Sequence, residues 1–330
     1  MTAAEYRAAY DRARRTWPKL TAATMREIRD VYLESANKLA EILRSGSLDD
    51  KSKITQAAAR QMEAEFERAA KAIQASIVEE VPLLISRGYD GFSKIEVEFM
   101  TDALEGIDQG KVTEKGLQNV YVGVNQRVVE TTLHRVGQDG YTFAQRAGRA
   151  AGFYQQDMNR LIAAGFAQGR DLAKIAEDLT KYVTDGKIKT VKRWGEILEP
   201  ESKALLKRVP ERVDYRALRI ARSELASSLQ EGARQNGKIN PGALNEFDWV
   251  LTNEFHASGD PCPDLAANSP YAFNEVPAYP HPNCECWIRP RLKPAKEFRD
   301  ELLRWADGGN SPDVNEWYSN VYRPAQARAA

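Results

Sequence analysis

The sequence predicts a mainly α protein, with a long N-terminal helical bundle or hairpin and a small α+β domain towards the C-terminus. Three observations carry that expectation. From Thr2 to about Ile85 the chain is rich in Ala, Glu, Lys and Arg and poor in glycine, and its apolar residues recur every three or four positions. After Asn240-Pro241-Gly242 the apolar period drops to two, the signature of a half-buried strand. Hydrophobic residues make up 42% of the 330 and charged residues 28%, which is enough apolar matter for a packed core.

Taken in order, Met25, Ile28, Tyr32, Ala36, Leu39 and Leu43 step along one helical face. Ser45-Gly46-Ser47 with Asp49 and Asp50 marks a turn, and a second helix is expected over 52–80, ending before Pro82 because an interior proline removes a hydrogen bond and clashes with the preceding turn. Two such stripes need each other, so the helices should run antiparallel. Residues 88–110 look less regular, and 112–135 look helical again. His134, near the end of that helix, has polar neighbours and no second ligand type nearby, so it reads as a surface histidine.

Residues 142–167 form the next expected helix. Gln168-Gly169-Arg170-Asp171 stops it, and Asp171 caps a helix that carries Leu172, Ile175, Ala176 and Leu179. Gly165 and Gly169 do not make a phosphate loop, since no strand precedes them and no GKS/T follows. Residues 187–193 are basic, with Trp194 beside them, and read as a solvated connector rather than a nucleic-acid-binding strand. Pro200 and Pro210 bracket an inserted helix.

Residues 213–237 give the clearest helix of the second half. Leu218, Ala221, Leu225 and Leu229 share its core face, Arg222 flanks that face with its guanidinium seeking an acceptor, and Glu224 is expected to point away. Arg222 and Glu224 do not form a catalytic pair, because residues two apart on a helix do not face each other. Phe247, Trp249 and Leu251 then alternate with Asp248, Val250 and Thr252, and 286–289 suggest a second short strand. About thirty residues between the strands lack convincing secondary structure, which a compact domain tolerates when something ties the loop down. A further amphipathic helix is expected over 293–308. The aromatic tail with Trp317, Tyr318 and Tyr322 either docks on another surface or packs back on its own domain.

The candidate tie is chemical. The stretch PHPNCECWI, residues 280–288, holds His281, Cys284 and Cys286, and the remaining cysteine, Cys262, lies about twenty residues upstream. Cysteine and histidine are scarce here, three of each, and a Cys3His set is a standard closed shell for structural zinc. Cys262, His281, Cys284 and Cys286 are therefore the candidate metal ligands and zinc the candidate cofactor, with His256, Asp260 and Asp264 as substitutes. Only one residue separates Cys284 from Cys286, and paired CxxC knuckles are missing, so burial of unliganded thiols and a disulfide remain alternative readings. An odd set of three cysteines does not make a disulfide framework.

Forty-seven basic and forty-seven acidic residues cancel, which removes the overall field expected of a protein that coats nucleic acid or an anionic membrane. No apolar run of about twenty residues occurs, and the opening residues lack the apolar core of a signal peptide, so no membrane partner and a reducing cytoplasm are expected. Zinc-deaminase and HExxH signatures and a nucleophile elbow are absent, so the expected role is not enzymatic.

With PHPNCECWI, the helix VDYRALRIARSELASSLQEGARQNG and the strand FDWVLT on the page, residues 155–291 resemble the phage Mu F-like head morphogenesis family of minor head proteins. Arg222, Ser223 and Glu224 match the family's Arg-Thr/Ser-Glu, followed by Trp249, Cys262, and His281, Pro282, Cys284 and Cys286 in its HPxCRC element. The segment 165–182 is similar to the short helix that precedes the Arg-Thr-Glu helix. Glu285 stands where the family usually has Arg, Leu265 stands where many members have a second cysteine, and 185–212 looks inserted. The resemblance divides the chain into a helical domain over 1–154, the Mu F-like domain over 155–291, and a helix with an aromatic arm over 292–330. It implies a structural minor head protein of a tailed-phage virion, in the head interior or at the portal vertex and in the host cytoplasm during assembly. The implied partners are the portal protein and other head proteins, with DNA a further candidate, and the implied role lies in head assembly, DNA packaging or ejection. The alternatives are a zinc-stapled nucleic-acid-binding module and a toxin-type enzyme. Some members carry ADP-ribosyltransferase domains, but Glu63-Ala64-Glu65 and Glu96-Val97-Glu98 lack the accompanying Ser-Thr-Ser strand.

Overall fold

A computed structural model describes residues 1–46, 54–107, 111–137, 139–185, 209–210, 212–252 and 259–329. The expectations for Ser47, Asp49, Asp50, Ser52, 187–193, Trp194, Pro200 and His256 lie outside the described residues.

Helices form where one apolar stripe can be buried along an uninterrupted stretch. Helix α1 (Ala3–Arg14) opens on a capping box, in which Thr2 Oγ1 accepts from the Glu5 amide and the Glu5 carboxylate accepts from the Thr2 amide at 2.7 Å. Helix α2 (Trp17–Ser45) buries the expected stripe from Met25 to Leu43.

Helix α3 (Gln56–Ala103) corrects two expectations, since it runs through Pro82 and stays helical over 88–103. Ile77, Val81, Leu84, Ile85, Tyr89 and Phe92 are all buried at helical spacing on both sides of the proline. An interior proline costs about 3 kcal/mol, whereas each large apolar side chain returns about 1.5–3 kcal/mol on burial. The stripe outweighs the proline.

Helices α4 (Glu114–His134), α5 (Phe143–Ala167) and α6 (Leu172–Asp185) occur where expected. His134 is exposed at the last position of α4. Gly169 takes the left-handed conformation at φ 65° after α5, and Asp171 Oδ1 caps α6 by accepting from the Lys174 amide at 2.7 Å.

Helix α7 (Tyr215–Ile239) overturns the expected facing of its charged pair, because Glu224 is buried and Arg222 is exposed. Every residue over 224–230 is buried, so this stretch is covered all round and has no polar face for Glu224 to occupy.

The contacts divide the chain into two units, each discontinuous in sequence because the long helices contribute to both. One comprises Ala22–Val81 and Arg135–Ala221. Its core sets Tyr32 edge-on to Tyr154, whose hydroxyl meets Ser35 Oγ at 3.1 Å, and Asp157 pairs with Arg160 and Arg216. Helices α5 and α6 pack tightly at Gly165, where a Cβ would fall 2.6 Å from Ile175 Cγ1.

The other unit comprises Met1–Thr21, Pro82–His134 and Arg222–Ala330. It contains strand β1 (Ala243–Val250), helix α8 (Cys262–Ala267), strand β2 (Tyr271–Ala272), strand β3 (Trp287–Leu292), helices α9 (Ala295–Ala306) and α10 (Pro312–Trp317), a π-helical turn (Tyr318–Tyr322) and helix α11 (Arg323–Ala329). The sheet order is β2-β1-β3, antiparallel throughout, with Trp249 opposite Ile288 and Phe247 opposite both Pro290 and Tyr271. Residues between β1 and β3 that looked structureless in the sequence include α8 and β2. The aromatic tail packs back on its own unit, where Trp317 and Tyr322 are buried and the Tyr322 hydroxyl accepts from the Thr113 amide at 2.9 Å. Among the described residues no helix is long and apolar enough to cross a membrane.

Candidate metal centre

The centre is assembled from two pieces of chain beside β1. Cys262 is the first residue of α8, and its amide donates to Asp260 Oδ1 at 2.8 Å. His281 and Cys284 are brought together by a local turn. The Cys284 amide donates to the His281 carbonyl at 3.2 Å, with Pro282 and Asn283 between them and Asn283 at φ 63°. Proline first and a left-handed Asn second is the signature of a type II turn, so the His-Pro-Asn-Cys sequence explains its own geometry. The sequence contains no paired CxxC, yet the turn supplies a knuckle of the same spacing with histidine in the first place.

The side chains converge. Cys262 Sγ lies 3.4 Å from Cys284 Sγ and 3.5 Å from His281 Nε2, and the ligand atoms of the three residues all fall within 4.8 Å of one another. A tetrahedral zinc with Zn–S of about 2.3 Å and Zn–N of about 2.0 Å would place sulfur about 3.8 Å from sulfur and about 3.5 Å from nitrogen. The two edges from Cys262 are within a few tenths of an ångström of that shell. His281 Nδ1 sits 3.1 Å from the Pro282 carbonyl, and donation there leaves the Nε2 lone pair facing Cys262.

Cys286 is not part of that trio. Its Sγ lies beside Cys284 and 4.0 Å from Thr252 Oγ1. Asp260 is nearby, with Oδ1 3.4 Å from His281 Nε2, whereas Asp264 is exposed on α8. All three cysteines are unpaired thiols within an apolar cluster that includes Phe247, Trp249 and Ile288. They ionise as a set. A hydrogen bond from Cys284 holds Cys286 down to about 6, giving that bond together with burial pushes Cys284 far up, and burial pushes Cys262 up to about 12.

Several contacts, most of them between residues far apart in sequence, hold the centre in place. Ser223 Oγ on α7 accepts from the Asn283 amide at 3.0 Å, and the Tyr279 hydroxyl donates to the Cys284 carbonyl at 2.8 Å. Arg14 on α1, buried and lying over the Trp17 ring, donates to the Glu285 carbonyl at 2.8 Å and to its carboxylate at 2.9 Å. That pair accounts for an acidic residue between the two cysteines. The only sequence signal for Ser223 was its place in Arg-Ser-Glu, and Arg14 had none.

Comparison of the chain with protein-family models, with curated proteins and with solved structures finds no match.

Proposed function

We propose that the chain is a structural minor head protein of a tailed phage that works beside the portal, and that one zinc ion staples its C-terminal fold through Cys262, His281 and Cys284, with Cys286 closing the shell. One observation carries this reading. Several residues of the family resemblance are scattered along the sequence, yet they meet at one place: Ser223 holds the turn at Asn283, and Trp249 shares an apolar cluster with all three cysteines. A shared motif whose parts support one another is what a structural element requires. The zinc would act by cross-linking α8 to the 281–286 segment, and the proposal assigns it no catalytic step.

Native mass spectrometry of the chain co-expressed with the portal protein of its own phage tests both parts. The expected spectrum shows a defined complex and one added zinc mass per chain, the zinc mass lost on Cys262→Ser. A metal-free monomer that ignores the portal would overturn the reading, and salt-sensitive DNA binding by that monomer would favour a nucleic-acid-binding module instead.

A further inference from the structure

Cys262 and Cys284 stand closer together than a shared metal needs. Their Sγ atoms are 3.4 Å apart, inside the edge of about 3.8 Å that a tetrahedral zinc imposes on two sulfurs. Both are free thiols, and both are buried. The site nevertheless lies one side chain below the surface, because His281, whose Nε2 is 3.5 Å from Cys262 Sγ, has a side chain 36% exposed. A reagent as small as hydrogen peroxide reaches the sulfurs past that ring.

We propose that Cys262 and Cys284 form a redox-active pair, which peroxide converts into a disulfide that takes over the staple between α8 and the 281–284 turn as zinc is expelled. The disulfide stands on the two thiols alone, whereas the expulsion of zinc rests on the proposed metal site. One thiolate attacks a peroxide oxygen, breaks the O–O bond, becomes a sulfenic acid and releases hydroxide. The second thiolate attacks that sulfur, forms the S–S bond and expels a second hydroxide. The two sulfurs lose two electrons, the peroxide gains them, and two protons turn both hydroxides into water. With both sulfurs in the new bond, His281 alone of the trio is left to hold the ion, and zinc leaves.

Geometry selects Cys262 as the partner of Cys284. Closing their separation from 3.4 Å to the about 2.05 Å of a disulfide asks for about 1.4 Å of movement, shared between two side chains. Cys286 also lies beside Cys284, but a bond there would close a ring over Glu285 alone, and Arg14 holds both the carbonyl and the carboxylate of that residue. A bridge from Cys262 leaves that anchor in place. It also joins positions 22 apart in the chain, so it restricts the unfolded state, as a metal cross-link does, where a bond across one residue restricts almost nothing.

The test uses the full-length chain, purified reduced and divided into a zinc-loaded and a chelator-treated sample. Each is exposed to hydrogen peroxide, free thiols are alkylated, and the denatured chain is cut without reduction after Glu275 and Glu285, which puts each cysteine on its own fragment. Mass spectrometry should find the Cys262 and Cys284 fragments joined in both samples, with Cys286 outside the cross-link. The zinc-loaded sample should release one zinc per disulfide to a chromophoric indicator. The oxidised chain should melt above the reduced, metal-free chain, and dithiothreitol should reverse the cross-link and the shift. Alkylation of both Cys262 and Cys284 after peroxide, a cross-link that uses Cys286, or an oxidised chain that melts no higher than the reduced, metal-free one would each overturn the proposal. A cross-link with no zinc bound beforehand would uphold the pair and refute the metal reading; bound zinc with no cross-link would do the reverse.

Discussion

Glu96 is the residue whose environment departs furthest from what its type predicts. It is fully buried, and its carboxylate accepts from the hydroxyls of Tyr6 and Tyr10 and from Asn240 Nδ2 at 2.8 Å. Asn236 extends the network, donating to the Tyr10 hydroxyl at 3.4 Å and accepting from that of Tyr89. One carboxylate thus joins α1, α3, α7 and the segment leading into β1. Burial lifts its pKa above the ordinary 4.5 even though these donors pull it down. A raised folded pKa means that the fold favours the neutral acid. This contribution is full below the unfolded value and is lost as pH rises through the folded one. Glu96→Gln keeps the shape without the ionisation, so the melting temperature of the natural protein relative to that variant should rise as pH falls towards 4.5. A difference that stays constant with pH would refute the assignment. Glu96→Ala strands three buried donors and should cost on the order of 3 kcal/mol in urea denaturation. The sequence held the signal for this site, because Glu96 falls within the buried register of Phe92 and Phe99. What answered the carboxylate was not legible, since the donors come from residues more than eighty positions away.

At the scale of elements, α3 and α7 meet at a glycine. A Cβ on Gly232 would fall 2.6 Å from Tyr89 Cδ2, and that ring is fully buried and tethered through its hydroxyl, so it cannot swing aside. Replacing an interior helical glycine gains up to about 1 kcal/mol of helix propensity, whereas overpacking a core costs about 1–3 kcal/mol. For the bulkier, less helix-favouring Gly232→Val the clash should win, lowering the urea midpoint with little change in slope; an unchanged or higher midpoint would show that the two helices have room. The helices themselves were legible wherever an apolar stripe continued, as in α2. The passage of α3 through Pro82 was not, because local rules see the proline's cost and not the burial on either side. Helix α8 and strand β2 are too short for periodicity to register, and each exists because β1 and the cysteine cluster give it something to pack against.

For the molecule as a whole, the proposed zinc makes stability depend on metal supply. Zinc at a hundred times its dissociation constant would add about 2.7 kcal/mol to the stability of the folded state. A strong chelator should therefore lower the melting temperature, added zinc should restore it, and Cys262→Ser should melt at a chelator-independent temperature. A natural protein equally indifferent to chelator would remove the metal from this account and leave the three thiols as core side chains.

The sequence by itself determined the mainly helical class, the positions of most helices, the change to strand after Gly242, and the four residues worth examining as ligands. It also encoded the His281-Cys284 turn, because proline and a left-handed asparagine act within four residues. Tertiary structure decided that Cys262 reaches that turn, that Ser223, sixty positions earlier, holds it, that Glu224 is buried and Arg222 exposed, and that Cys286 stands beside the trio and not within it. The division has a physical cause. Periodicity and turn chemistry arise from neighbours along the chain, so they can be read one element at a time. Which face meets which depends on packing complementarity between elements whose loops have already closed, and no single stretch of sequence contains that information.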